Sequence, residues 1–439
     1  MNKLPASRPI GSIDRIAEEG LQRIEDPAIQ ETGHEGLAYA TLRVSDSIPT
    51  LSDAAQDRAA ISFVAFEGSN GESEVFSDSV RLPVANTVFQ TGSPTTMTYS
   101  TWEKAKGSQE LTLKEKRNIH HHGIRMQLDN DTQSTILSVP LVPLSRPREV
   151  VASMGNILRR VKDTDGVSIT ASQELEQLVP RYFSARGEPS QATTVWALVI
   201  NRDHMEETQK RTDLLVQHTP SNGCENKTED KLWENMWKQD PPSWSPLVSI
   251  ALRSGARLHR VLSGGGGWGK KAGLLSLDPI PTVEADSADA PSTFDDIDGP
   301  GDLGSALQQV AQEGDYVQFF VSPSTSAKDT MIAGSNQGKA VWGLELGTIP
   351  STTDSMPVPT GQAETAGSNE ISVFRYTFGA LAEGGMVLSR SSKPKPGASL
   401  STIGRTTVDV PFSRFSVVRW KTESSLGEDE DADVGGLDE

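Results

Sequence analysis

The chain has 439 residues, 35% of them hydrophobic, and its mean hydropathy is −0.40. This length predicts two or three domains with buried cores, since one domain usually takes roughly 100–200 residues. A membrane-spanning protein is excluded, because no apolar run approaches the ~18 residues that a spanning helix needs. The single cysteine, Cys224, excludes an intramolecular disulfide framework and predicts a soluble intracellular protein of the cytoplasm or the mitochondrial matrix.

The net charge of −18 is concentrated in two segments of the chain. Residues 284–302 contain seven acids, the segment from Glu423 to Glu439 contains eight, and neither segment contains a base. The rest of the chain is therefore nearly neutral, so its charge does not indicate nucleic-acid binding. Both segments lack the aliphatic periodicity of a packed element, and the sequence predicts that they are solvated and disordered.

Deleting residues 423–439 is expected to raise the isoelectric point and to leave the melting temperature nearly unchanged, because a solvated acidic tail buries little apolar surface. Isoelectric focusing and calorimetry of the truncated and full-length chains measure the two effects. Slow amide hydrogen exchange within residues 284–298 or 423–439 of the isolated protein would contradict the prediction.

The polar residues 1–36 are predicted to form a flexible N-terminal arm. An α/β domain is predicted over residues 37–280, an acidic linker over 281–300, a β-rich domain over 301–422 and an acidic tail over 423–439. The predicted fold class is therefore mixed α/β, with an α/β central region and a β-rich C-terminal portion.

Apolar and alternating runs predict the strands, and apolar residues at helical spacing predict the helices. Strands are predicted at residues 37–44, 59–66, 81–90, 134–144, 194–200, 257–262, 316–321, 341–346, 371–378, 386–389, 406–410 and 415–420. Helices are predicted at residues 148–161, 171–183, 230–239 and 303–312, and the polar stretch 202–230 is predicted to be largely loop. Pro140 and Pro143 indicate that the strand at 134–144 lies at a sheet edge or ends there.

The block Ser263–Lys271 is the strongest candidate for a binding site. Its candidate ligand-binding residues are Gly264, Gly265, Gly266, Gly267, Gly269, Lys270 and Lys271. Glycines leave the backbone free to direct several N–H groups at one anion, and a lysine supplies a charge to it. The spacing matches most of a phosphate-loop pattern, which predicts a strand before the block and a helix starting near Lys271. Lys271 stands where that pattern needs a hydroxyl for Mg²⁺.

Two other interpretations of the glycine block stay open. In the first, the block is a structural turn in which Trp268 packs against the domain as a plug. In the second, Trp268 is an exposed anchor for a protein partner. An enzyme of the phosphoryl-transfer class is a weaker interpretation, because neither a magnesium ligand nor a base is identifiable, and the sequence assigns no cofactor and no catalytic residue.

The histidine run His120–His122 is the most plausible position for a metal, because residues two positions apart on a strand, such as His120 and His122, face the same side. A third ligand such as His34 or Asp129 is not required by the spacing, so the run is interpreted as a solvated basic segment and no metal is predicted. Cys224 lies in a polar loop and is interpreted as an ordinary surface thiol.

Four of the eight tryptophans lie within 36 residues, at Trp233, Trp237, Trp244 and Trp268. Trp233 and Trp237 are one helical turn apart, which predicts a buried helix face. An aromatic surface for a partner or ligand is the alternative interpretation.

The block SGGGGWGKKAGLLSLDP, at residues 263–279, is similar to one found in a group of uncharacterised proteins from filamentous fungi. Weaker similarities lie in Arg81–Gly92 and Ser153–Ile157. The resemblance implies a eukaryotic intracellular protein and carries no activity, cofactor or site residue with it.

The sequence predicts an accessory protein that binds a phosphorylated ligand or an anionic partner through the Gly264–Lys271 loop. The alternative is a non-enzymatic assembly protein, in which the tryptophan-rich segment and the acidic tail dock partners. The oligomeric state, and whether the protein is an enzyme, stay open.

Overall fold

The computed structural model describes residues 37–50, 59–67, 75–84, 91–93, 95–105, 107, 110–128, 133–217, 228–239, 246–264, 273–279, 309–322, 340–349, 377–383, 385–393 and 401–420. The predicted arm 1–36, linker 281–300 and tail 423–439 lie outside these residues. The described chain is rich in strands and contains four α-helices.

The helices are α1 (Ala171–Arg186), α2 (Arg202–Gln217), α3 (Glu229–Trp237) and α4 (Leu247–Arg253). The first ten strands are β1 (Ser47–Thr50), β2 (Ala60–Glu67), β3 (Val75–Pro83), β4 (Thr98–Lys104), β5 (Leu111–Asn118), β6 (His121–Gln127), β7 (Gln133–Ser138), β8 (Val142–Pro143), β9 (Arg148–Met154) and β10 (Ile157–Lys162). The others are β11 (Ser168–Thr170), β12 (Val195–Ile200), β13 (Arg257–Gly264), β14 (Leu275–Leu277), β15 (Tyr316–Val321), β16 (Ala340–Ile349), β17 (Thr377–Glu383), β18 (Met386–Lys393), β19 (Ser401–Val408) and β20 (Arg414–Trp420).

The chain divides into two compact units. Unit 1 comprises residues 1–138, 328–401 and 411–439, and unit 2 comprises residues 139–327 and 402–410. The predicted boundary at 281–300 lies outside the described residues, and β15, which follows it in sequence, pairs with β12 of the central region. Both units are therefore built from segments that are distant in sequence.

In the described residues, unit 1 is built mainly from strands. Five of its strands form one sheet in the order β1-β6-β2-β3-β18, four form a second sheet in the order β17-β16-β20-β7, and β4 and β5 form a two-stranded ribbon. Phe63 of the first sheet packs against Phe378 of the second, with ring centroids 5.9 Å apart. Buried Asp78 pairs with Arg390 and accepts a hydrogen bond of 3.3 Å from Thr135 of the second sheet. An aromatic contact and the hydrogen bond from Thr135 to Asp78 thus join the two sheets.

Unit 2 is a mixed sheet-and-helix unit with an antiparallel sheet. The strands run in the order β11-β10-β14-β13-β12-β15-β8, and β9 pairs with both β10 and β15. Every strand pair in the described part of this sheet is antiparallel. The helices supply Leu175, Phe183 and Trp237 to a buried cluster whose sheet residues include Ala197 and Phe319. Strand-helix alternation therefore does not produce a parallel sheet here.

Several predicted elements are confirmed, and others were wrong in type. Strands β2, β12, β13, β15 and β20 and helices α1 and α3 occur where the patterns predict them. The strand expected at 37–44 is absent from the described residues, which are irregular up to a short 3-10 helix at Val44–Asp46. Residues 309–312 are not helical, and the rest of the predicted helix 303–312 lies outside the described residues.

The predicted helix at 148–161 is the hairpin of β9 and β10. Gly155 adopts φ +57° between Met154 and Ile157, which pair directly with each other. A Gly-Asn dipeptide that can adopt positive φ forms a tight turn, and buried Val150 and Leu158 lie on the strands beside it. A bulge in β10 shifts the apolar residues out of simple alternation, so their spacing resembled that of a helix.

The predicted loop at 202–230 contains the 16-residue helix α2. Its buried residues are Thr208, Thr212 and Val216, which are spaced four apart. Two of these three residues are polar. The Thr208 and Thr212 hydroxyls donate to the carbonyl oxygens one turn earlier, and Thr212 also accepts a 3.0 Å hydrogen bond from Gln318. Internal hydrogen bonds satisfy this stripe, so hydropathy does not detect the helix.

Candidate functional site

The glycine block connects two antiparallel strands. β13 ends at Gly264, β14 begins at Leu275, and these two residues are register partners. The predicted strand before the block is confirmed and extends to Gly264. The helix expected from near Lys271 was wrong for the described residues 273–279, where β14 forms instead. Gly265–Lys271 lie outside the described residues, so the predicted site stays a prediction at those positions.

Gly264 and Gly273, at the two ends of this connection, both lie close to neighbouring residues. A Cβ on Gly264 would collide with the Leu275 side chain of the facing strand. Gly273 has φ +80°, and a Cβ there would lie 2.6 Å from Cβ of Thr170. Glycine is required at Gly273, because of its positive φ and its contact with Thr170, whereas the Leu275 side chain could move aside at Gly264. The second end of the loop is therefore packed closely against Thr170.

The second end of the loop lies against the N-terminus of α1. Thr170 is the residue before this 16-residue helix, and its side chain makes no capping hydrogen bond. The Ser172 N–H donates to the Gly273 carbonyl oxygen at 3.3 Å. The positive end of the helix dipole is thus beside Gly273, which lies two residues after Lys271.

The side chains around this end carry both signs of charge. Exposed Arg160 on β10 is the register partner of Thr170 and donates to the Ser168 carbonyl oxygen at 3.1 Å. Glu174 in the first turn of α1 is buried and forms a 2.6 Å ion pair with Arg148, while burial raises its pKa. Glu176 accepts a 3.3 Å hydrogen bond from the Ser172 hydroxyl. Selectivity for an anion would therefore depend on Lys270 and Lys271 as well as on the helix.

A second polar cluster lies where β14 leaves the hairpin, and the sequence did not indicate it. His259 on β13 is 2% exposed, and its Nδ1 is 2.8 Å from the Asp278 carbonyl oxygen. Burial lowers the pKa of His259 to about 4, so the ring is neutral at neutral pH. Asp409 accepts a 2.7 Å hydrogen bond from Trp196 Nε1, and burial raises the pKa of Asp409.

Arg260 is the electrostatic partner of this cluster. It is the register partner of Trp196, and its charge counteracts the effect of burial on the pKa values of Asp278 and Asp409. A backbone hydrogen bond and the charge of Arg260 thus link the neutral His259 and the two carboxyl groups, whereas His259 Nε2 is buried and has no hydrogen-bond partner among the described residues. We assign this cluster a structural role in closing the β13–β14 hairpin.

The histidines of the run His120–His122 contact different neighbours. His122 Nε2 is 3.1 Å from the Ser47 hydroxyl, and burial lowers the pKa of His122. His121 Nδ1 is 3.4 Å from a guanidinium nitrogen of Arg81. The described residues contain no group of three His, Cys, Asp or Glu side chains that could hold a metal ion. His34, Asp129 and Cys224 lie outside the described residues.

The tryptophan pair on α3 is buried, as its spacing predicts. Trp233 is 6% exposed and Trp237 is fully buried, with ring centroids 5.8 Å apart. These two side chains are part of the core and are not available to a partner. Trp244 and Trp268 lie outside the described residues.

Comparison with known proteins finds no matching family model, no matching curated protein and no matching solved structure. Among the described residues, no helix is both long enough and apolar enough to cross a bilayer.

Proposed function

We propose that this protein is an accessory protein that binds a phosphorylated or otherwise anionic ligand through the Gly264–Lys271 loop. One observation carries the proposal: the loop is the connection of a hairpin whose far end, Gly273, contacts the first turn of α1. The ligand would bind to backbone N–H groups of the loop and to the ammonium groups of Lys270 and Lys271.

The pairing of the two ends of the loop supports this proposal. Gly264 and Leu275 are register partners, so the segment between them returns to the same place in the sheet, and its N–H groups can converge on one point. The dipole of α1 adds a favourable potential for an anion near its N-terminus. This arrangement differs from a phosphate loop, where the helix follows the glycines directly in sequence.

Adding an inorganic polyphosphate or a nucleotide is expected to raise the melting temperature by about 5–10 °C at a concentration ~100-fold above Kd, because the ligand binds only the native state. The double variant Lys270→Ala/Lys271→Ala is expected to abolish the shift while keeping its own melting temperature, since solvated lysines contribute little to stability. Differential scanning fluorimetry over a ligand series measures both effects.

The matched control removes two exposed lysines from another part of unit 2. Lys231→Ala/Lys238→Ala changes the net charge by the same amount and is expected to keep the full shift. A shift of equal size in both double variants would mean that the glycine loop is not the site. No shift with any phosphorylated ligand would favour the assembly-protein alternative.

The second candidate function is that of an assembly protein, and the exposed β4–β5 ribbon of unit 1 favours it. Trp233 and Trp237, two of the tryptophans in the proposed docking segment, are buried and do not support this function. We infer an intracellular location from the single cysteine among 439 residues. No catalytic residue or cofactor is assigned.

A further inference from the structure

The ribbon of β4 and β5 is an exposed two-stranded sheet in unit 1. No other described strand pairs with either of them. Trp102 is 54% exposed, Leu111 60% and Leu113 47%. An isolated two-stranded ribbon is marginally stable in water, and adjacent exposed apolar side chains mark an interaction surface. The ribbon therefore has the properties of a docking element.

The register of the two strands separates their side chains into two faces. Trp102 pairs with Leu113, and Lys104 pairs with Leu111, so these four side chains lie on one face. Ser100 pairs with Lys116 on the same face. We call this surface, formed by Trp102, Lys104, Leu111, Leu113 and Lys116, the lysine face.

Within the two strands, the acids lie on the opposite face. Glu103 pairs with Thr112 and Glu115 pairs with Thr101, in register positions that alternate with those of the lysine face. Glu103 forms an ion pair with Lys114 at the bulge, and Glu115 lies 3.5 Å from Arg117. These acids are neutralised on their own face. The lysine face thus combines three apolar side chains with two positive charges and no strand carboxylate.

This charge distribution selects among possible occupants of the lysine face. A second copy in face-to-face contact would bring four lysines together without a carboxylate, which is unfavourable. A lipid surface would bring the edges of the ribbon, which pair with no other described strand, towards the hydrocarbon, where unpaired N–H and C=O groups are costly. An acidic peptide can neutralise both lysines and pair with a strand edge.

The two edges of the ribbon differ. Thr101 pairs with Glu115 while Trp102 pairs with Leu113, so Lys114 is an extra, bulged residue in β5. A bulge disrupts the regular hydrogen-bonding positions of a strand edge. β4 has no extra residue and keeps the regular edge. A partner strand would add along β4.

We propose that the lysine face binds an extended acidic peptide of a partner protein, which adds as a strand along β4. The peptide places apolar side chains over Trp102 and Leu113 and carboxylates beside Lys104 and Lys116. This interaction lies in unit 1 and does not depend on the anion site proposed for the Gly264–Lys271 loop, so each can fail without the other.

The test measures binding of a fluorescein-labelled peptide to the full chain by fluorescence anisotropy. The probe is the blocked heptapeptide Asp-Thr-Phe-Thr-Leu-Thr-Asp, whose acids and apolar residues lie on one face when it is extended. We expect saturable binding that is lost when lysines replace both aspartates. We also expect it to be lost when proline replaces the central threonine, because proline cannot pair with the β4 edge.

Matched variants separate the lysine face from the net charge of the ribbon. Lys104→Gln/Lys116→Gln is expected to weaken binding about tenfold, whereas Lys114→Gln/Arg117→Gln, which removes the same charge elsewhere, is expected to change it less than about twofold. Trp102→Thr is expected to weaken binding at least about tenfold, because it removes the largest apolar contact. All three variants change exposed or half-exposed side chains, and circular dichroism checks that they fold.

Three outcomes would overturn the proposal. Absent peptide binding, or equal weakening by the two double variants, would show that the lysine face is not an acidic-peptide site. Cosedimentation with phosphatidylserine vesicles that Trp102→Thr abolishes, without peptide binding, would assign the face to a lipid surface. A dimer in analytical ultracentrifugation that Trp102→Thr dissociates would assign it to a second copy of the chain.

Discussion

Replacing Trp237 by alanine is expected to destabilise unit 2 by about 3–5 kcal/mol, as large-to-small changes of buried aromatic residues do. Trp237 is fully buried, its Nε1 donates to the Pro143 carbonyl oxygen at 3.0 Å, and its ring lies 5.9 Å from that of Tyr182. The alanine variant would leave a cavity between the helices and the sheet and an unpaired carbonyl oxygen. Urea unfolding followed by near-ultraviolet circular dichroism measures the loss.

Two further variants test the cause of this loss. Trp237→Phe keeps most of the buried area and removes the hydrogen bond, so it is expected to cost about 1–3 kcal/mol. Trp102→Ala removes the same side chain from an exposed position and is expected to cost less than about 0.5 kcal/mol. Equal losses from Trp237→Ala and Trp102→Ala would refute the assignment of Trp237 to the core.

His259 is expected to contribute a component to the unfolding free energy of unit 2, and this component is lost as the pH falls. Burial lowers the pKa of His259 from 6.5 to about 4, with the Asp278 carbonyl acting against this effect. Between these two pH values the unfolded chain binds a proton that the folded chain does not. The component is therefore complete above pH ~6.5 and is lost as the pH falls towards ~4, by about 3 kcal/mol in total.

His259→Gln isolates this component, because glutamine does not titrate. The buried carboxyl groups of Glu174 and Asp409 have raised pKa values, and their contribution runs in the opposite direction and is common to both proteins. The difference in unfolding free energy between wild type and variant is expected to shrink as the pH is lowered from 7 to 4.5. Urea midpoints at several pH values measure it, and a constant difference would contradict the assigned pKa.

The elements that the sequence predicted well are those with one dominant signal. β12 is a continuous apolar run, and α1 and α3 carry apolar residues at helical spacing. α2 was missed because two of its three buried residues are threonines, whose burial depends on hydrogen bonds with Gln318 and with the helix itself. A hydropathy pattern does not detect a buried polar side chain whose hydrogen-bond partner is distant in sequence.

From the sequence, the candidate site was predictable only as a glycine-rich loop that follows a strand. The hairpin closes through β14, which has three residues, and through contacts of Gly273 with Thr170. Such a short strand has no periodicity, and Thr170 is distant in sequence, so no local pattern encodes the contact. The lysine face could have been found, because Leu111 and Leu113 alternate with polar residues in a way typical of a half-buried strand.

The chain leaves one unit for the other after residues 138, 327, 401 and 410, and this has a consequence for its biosynthesis. β7, which ends at Ser138, pairs with β20 alone among the described strands, and β20 begins at Arg414. At a translation rate of about 5–20 residues per second, β20 is synthesised roughly 15–55 s after β7, and β7 lacks its partner strand during this time. A ribosome that releases its product before β20 emerges therefore yields a chain with unpaired strand edges, and such a product is prone to aggregation.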